Sequence, residues 1–155
     1  VRSRRQRQMC IRDSPLYDSL LTNLLSHDVN EIVISESVSL KGVVYLDARE
    51  YEEYQISHIK DALWVGYDDF SAKRLQGILK DRKVIVYCSV GYRSEKIAEK
   101  LVVLGYSDVN NLYGGVFEWV NEDYPVVDEK NKNTLKVHAY DEIWGVWLTK
   151  GEKIY

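Results

Sequence analysis

The chain predicts an α/β fold, a central and mostly parallel sheet of five strands with helices on both faces. Three observations carry that prediction. After residue 30, short runs of β-branched and aromatic residues alternate with stretches whose apolar residues recur at helical spacing, the order that builds a parallel sheet with crossovers. The runs Val43-Val44-Tyr45-Leu46 and Val84-Ile85-Val86-Tyr87 are continuously apolar, as strands buried on both faces are. Finally, 155 residues with 45% hydrophobic content suffice for one enclosed core, while no apolar run approaches the ~18–20 residues of a membrane span.

Residues 1–13 carry five arginines and could pass for a basic arm. Residues 4–13, however, resemble the translation of an adapter used in transposon-based sequencing. The first 13 residues are therefore read as an artefact, expected to be disordered, and are set aside together with Cys10. On that reading the native N-terminus is missing; a cytoplasmic location is favoured, and a periplasmic or exported one stays open. The whole chain has 21 basic and 24 acidic residues, net −3; without the first 13 the balance is 16 against 23, net −7. Such an acidic domain is not expected to attract nucleic acid at long range, and an anion would have to be held by local groups. Cys88 is then the sole cysteine, so no intrachain disulfide is expected, and no repeat or zinc-like Cys/His spacing is visible.

Residues 14–30 form a first segment, in which Leu16, Leu20, Leu21, Leu24 and Leu25 after Pro15 predict a helix over 16–25 packed on the domain edge. The main domain follows over 31–127. Strands are expected at 31–34 and 42–46, the second ending at Asp47. Asp47 and Arg49 sit at a carboxyl end, where open α/β sheets gather their sites, and are read as an ion pair tying loops together in preference to direct catalysis. A short helix is expected over 50–56. His58 beyond it reads as a hydrogen-bonded structural residue in preference to a general base. A strand at 62–65 comes next, then a helix over 68–80 with Phe70, Ala72, Leu75, Ile78 and Leu79 on its apolar stripe.

The strand 84–87 runs straight into Cys88-Ser89-Val90-Gly91-Tyr92-Arg93-Ser94, and an amphipathic helix starts at once, its inner face Ile97, Ala98, Leu101 and Leu104 and its stop Gly105. A strand that hands over abruptly to a helix leaves backbone N–H groups pointing into the turn, where the helix dipole favours negative charge. The thiolate is the reactive form of cysteine, so this is a setting for a nucleophile. Gly91 supplies backbone freedom for a tight ring of amides, and Arg93 offers a forked donor to an oxyanion. A last strand is expected at 108–112, followed by Gly114-Gly115 and a helix with Phe117, Trp119 and Val120. After a polar loop at 128–133, Ile143, Trp144, Trp147 and Leu148 predict one more helix in a C-terminal extension, 128–155. It is expected to pack back on the domain, with a partner-docking face as the alternative.

The loop 88–94 resembles the active-site loop of the rhodanese (sulfurtransferase) family. Flanking motifs agree: Leu46-Asp47-Ala48-Arg49 with Glu50 and Glu53-Tyr54 resembles its Asp-x-Arg-Glu segment, and Ser57-His58-Ile59-Lys60-Asp61-Ala62 its Gly-His-Ile-x-Gly-Ala segment. Leu112-Tyr113-Gly114-Gly115-Val116-Phe117-Glu118-Trp119 resembles its Gly-Gly-x-x-x-Trp ending. Ser57 and Asp61 stand where the family has glycines. The resemblance implies the rhodanese-like fold and a sulfurtransferase in which Cys88 takes a sulfane sulfur from a small anionic donor such as thiosulfate. Cys88 would hold it as a persulfide and pass it to a thiol, a cyanide-like acceptor or a protein acceptor. It further implies that residues 89–93 stabilise the persulfide through their amides, that Arg93 grips the donor's oxyanion, and that Ser94 caps the loop or helps bind the donor. Asp47, Arg49 and His58 then serve as structural support, and no metal or organic cofactor is expected. Related loops in phosphatases place five residues between cysteine and arginine; the four here make a ring suited to a single sulfur. The alternative is a non-catalytic or regulatory rhodanese-like module, a sulfur carrier or an interaction domain.

Overall fold

The structure, a computed structural model, describes residues 15–155. The segment 1–13 that the sequence sets aside lies outside the described residues. Helix α1 (Pro15–Leu24) is followed by β1 (Asn30–Ile32) and a one-turn helix α2 (Ile34–Ser37). Then come β2 (Val44–Asp47), α3 (Tyr51–Ile56), β3 (Leu63–Trp64), β4 (Val84–Tyr87), α4 (Tyr92–Val103), β5 (Val109–Leu112) and α5 (Gly115–Asn121). The five strands form one sheet in the order β1-β5-β4-β2-β3, every neighbouring pair parallel.

The centre of the sheet is β4, and its alternation shows why both faces are covered. Ile85 and Tyr87 join a core layer with α1 and α5, whereas Val84 and Val86 join a second layer with Ile97, Ala98 and Leu101 of α4. All four β4 residues are fully buried, which is what a continuously apolar strand requires. Gly105, at φ +95°, ends α4, its N–H donating to the Val102 carbonyl while Tyr106 N–H donates to that of Leu101. Asp61 adopts a φ of +64°, the left-handed conformation its glycine counterpart would take, and Asp tolerates it through its short polar side chain. Ser57 is simply extended.

Two expected helices form differently. The stretch 68–80 contains only a 3-10 turn, Ala72–Leu75. Phe70, Leu75 and Ile78 pack on the second core layer as their spacing implies, but Ser71 accepts from Lys73 N–H and Gly77 takes φ +89°. Too few residues are left between those two points to propagate an α-helix. The C-terminal extension has a 3-10 turn in place of an α-helix: an antiparallel pair β6 (Val126–Val127) and β7 (Asn133–Thr134) precedes a parallel pair, β8 (Lys136–His138) and β9 (Glu152–Ile154). Between β8 and β9, Trp144–Trp147 make one 3-10 turn. Gly145 within that turn packs hard against residue 139; a Cβ on it would lie 3.2 Å from the Ala139 Cβ. The extension does pack back on the domain, Trp147 stacking on Tyr17 of α1 at 5.3 Å. No helix of the described residues is long and apolar enough to cross a membrane.

Candidate active site

Cys88 sits one residue past β4, 1% exposed, and its Sγ accepts from Gly91 N–H at 3.1 Å. That amide faces the sulfur because the rest of the turn is tied the other way. The Gly91 carbonyl accepts from Asn111 Nδ2 at 3.0 Å and from Glu95 N–H at 3.1 Å, which fixes the Gly91–Tyr92 peptide, and a φ of +129°, which favours glycine, sets the Gly91 N–H toward the sulfur relative to it. The carbonyls of Cys88 and Ser89 accept from Val116 and Phe117 N–H, at 2.9 and 3.1 Å. This clasp at the start of α5 requires glycine at residue 115, since a Cβ there would collide with both carbonyl oxygens. The second glycine of the Gly114-Gly115 pair thus serves the loop 26 residues away in sequence from Ser89. With carbonyls turned outward and α4 beginning at Tyr92, its first amides are available to the turn.

Ser94, also buried, lies with Oγ 3.4 Å from Cys88 Sγ, and its hydroxyl donates to Asn111 Oδ1 at 2.6 Å. A hydroxyl has one proton, so this one can turn between Asn111 and the sulfur, following the charge on Sγ. Arg93 is engaged on two points by Glu53: Nη1 donates to Oε2 at 2.7 Å and Nη2 to Oε1 at 2.9 Å, while Nη2 also donates to Ser89 Oγ at 3.0 Å. The Tyr140 ring covers its guanidinium at 5.0 Å. Burial pushes the Glu53 carboxyl up, but the hydrogen bonds and charge of Arg93, helped by Arg49, hold it down at about 2. Burial opposes the charge on Arg93 as well, and Glu53 overcomes it, keeping the guanidinium above its ordinary value.

A cavity of about 220 Å³ opens over the sulfur, lined by Ser89, Val90, Tyr92 and Arg93 of the loop, Leu24 of α1, and Tyr140 and Trp144 of the extension. Asp47, Arg49 and His58 do not line it. Asp47 and Arg49 form a pair closed to solvent, Arg49 Nη2 donating to Asp47 Oδ2 at 2.7 Å and to the Ser57 carbonyl at 2.7 Å; Tyr87 OH donates to the same Asp47 oxygen. His58 stacks on Tyr54 at 3.9 Å, bonds the Tyr54 carbonyl through Nδ1, and pairs its backbone with Val127.

The sequence placed none of Glu53, Asn111, Leu24 and Tyr140 at the site, and Trp144 was read as packing back on the domain, with a partner-docking face as the alternative. Asn111 had a signal, one of two consecutive asparagines inside a fully buried strand; the others reach the site through long-range packing that spacing does not encode.

A model of the Rhodanese-like domain matches residues 33–122. The chain is 30% identical over 125 residues to a tRNA uridine(34) hydroxylase of Bacillus cereus, covering 71% of this chain and 38% of that protein. It is 29% identical over 102 residues to the tRNA uridine(34) hydroxylase of Hamiltonella defensa, covering 63% and 27%. It therefore spans between about a quarter and two fifths of the length of these relatives. A rhodanese-related protein of Thermoplasma volcanium superposes with a TM-score of 0.56 at 27% identity, covering 65% of this chain and all of that one.

Proposed function

The chain belongs to the rhodanese-like domain family, and on that footing we propose that it transfers sulfane sulfur through a persulfide on Cys88. The observation that carries this reading is the Gly91 N–H aimed at Cys88 Sγ at 3.1 Å on the floor of a cavity. The Cys88 thiolate attacks the outer sulfur of a donor; with thiosulfate, the sulfur–sulfur bond breaks and sulfite leaves with the electron pair. The anionic persulfide is stabilised by the amides at the start of α4, fixed donors already oriented before charge arrives, and by the Ser94 hydroxyl swinging toward it. A thiol or cyanide-like acceptor then attacks the outer sulfur and regenerates the thiolate.

Intact mass after incubation with a panel of sulfane donors beginning with thiosulfate tests the reading. A gain of one sulfur atom, absent from Cys88→Ala, is expected; no adduct with any donor removes it.

The relatives named as tRNA uridine(34) hydroxylases favour a second reading, in which this domain serves modification of a transfer RNA base within a longer protein. The excess of acidic residues argues against this domain gripping RNA alone. Retention of tRNA by this chain in a filter-binding titration would raise the second reading above the first.

A further inference from the structure

Resting on the persulfide reading, we infer that the donor for Cys88 is a monoanionic organic sulfane compound with a compact apolar or aromatic body, not an inorganic dianion. The walls of the cavity are Leu24, Val90, Tyr92, Tyr140 and Trp144, so whatever is attached to the transferred sulfur meets alkyl and aromatic surface. Such walls stabilise a ligand by removing apolar area from water and strip hydration from a dianion without replacing it. Among the described residues Arg93 is the one cation in the lining, and its charge is already matched. Glu53 holds it at 2.7 and 2.9 Å, Ser89 Oγ takes another of its hydrogens at 3.0 Å, and the Tyr140 ring covers it. A second negative charge at the mouth would face the Glu53 carboxylate as well as the guanidinium. At about 220 Å³ the space is small, enough for one ring or a short alkyl group beside the sulfur.

Benzenethiosulfonate reproduces this chemistry with one negative charge and a phenyl ring. The Cys88 thiolate bonds to its terminal sulfur, the sulfur–sulfur bond breaks, and benzenesulfinate departs with the electron pair, leaving the persulfide anion.

The test compares kcat/KM for benzenethiosulfonate and thiosulfate on the full chain, with cyanide as acceptor and thiocyanate as readout. Each is divided by the rate of the same donor with a free small thiol, which removes intrinsic reactivity. The corrected ratio is expected to favour benzenethiosulfonate by about tenfold or more, the discrimination one apolar group gains in a fitted pocket. It is expected to fall toward unity in Trp144→Ala and Tyr140→Leu. A corrected ratio of one or below in the unaltered chain overturns the inference while leaving sulfur transfer standing, as does a ratio untouched by both substitutions. Failure of both donors to load Cys88 sinks the persulfide reading and this inference with it.

Discussion

Two arginine–carboxylate pairs lie near the carboxyl ends of the strands, and they are put to different uses. Asp47 and Arg49 are both wholly closed to solvent, and the Asp47 oxygens are taken by Arg49 and Tyr87. Glu53 and Arg93 are a little more open, at 4% and 12%, and Arg93 lines the cavity over Cys88 with Glu53 behind it. The first pair crosslinks the ends of β2 and β4 to the turn at Ser57; the second sets the charge seen by whatever enters. The same functional groups serve as an internal brace in one place and as a tuned wall in the other, and burial alone does not separate the roles. What separates them is whether the remaining surface of the pair faces protein or an opening.

The largest effect expected is on the brace. Arg49→Met leaves Asp47 buried without its counter-charge, and urea unfolding is expected to report a loss of about 3–5 kcal/mol. A loss below that of Glu53→Gln would erase the distinction between the pairs. Glu53→Gln breaks a charge-assisted contact at the cavity edge, for which about 2 kcal/mol is expected. It also uncovers Arg93, so the KM for thiosulfate is expected to fall, which donor kinetics on the variant would show.

Acid titration sharpens the comparison. The Glu53 carboxyl is held at about 2 in the folded chain against an ordinary 4.5, so the unfolded chain takes up this proton first as pH falls. The stabilisation is complete above pH 4.5 and lost on the way down to about 2, an amount on the order of 3 kcal/mol. Urea midpoints across that window are expected to fall less steeply in Glu53→Gln. The smallest effect is that of Tyr140→Leu, which removes the ring over Arg93; about 0.5–1 kcal/mol is expected from the same unfolding measurement.

The sheet was legible because residues 43–46 and β4 are continuously apolar and each is followed by a helical stripe or a turn. The thiol loop was legible because Gly91 and the immediate helix start are local features. The Asp47–Arg49 brace was also legible, two residues apart on one loop. Glu53 and Arg93 are 40 residues apart and meet only through the crossover, so no spacing rule could pair them. The stretch 68–80 shows the opposite failure: its apolar period records which side chains are buried, and Ser71 and Gly77 decided the backbone instead. In the extension, Ile143, Trp144, Trp147 and Leu148 have the period of one turn, and one 3-10 turn is what forms.

The stacking of Tyr17 on Trp147 joins the two flanks of the domain, and those flanks bring Leu24 and Trp144 to the cleft. On the proposed function, reactivity and discrimination would therefore be written in separate stretches of the chain. Cys88 and the Gly91 amide that faces it lie inside the span matched by the family model, 33–122, while Leu24, Tyr140 and Trp144 of the cavity lining come from beyond its two edges. If sulfur transfer at Cys88 holds, exchange of those outer pieces would retarget such a domain to new donors without disturbing the atoms that make and break bonds.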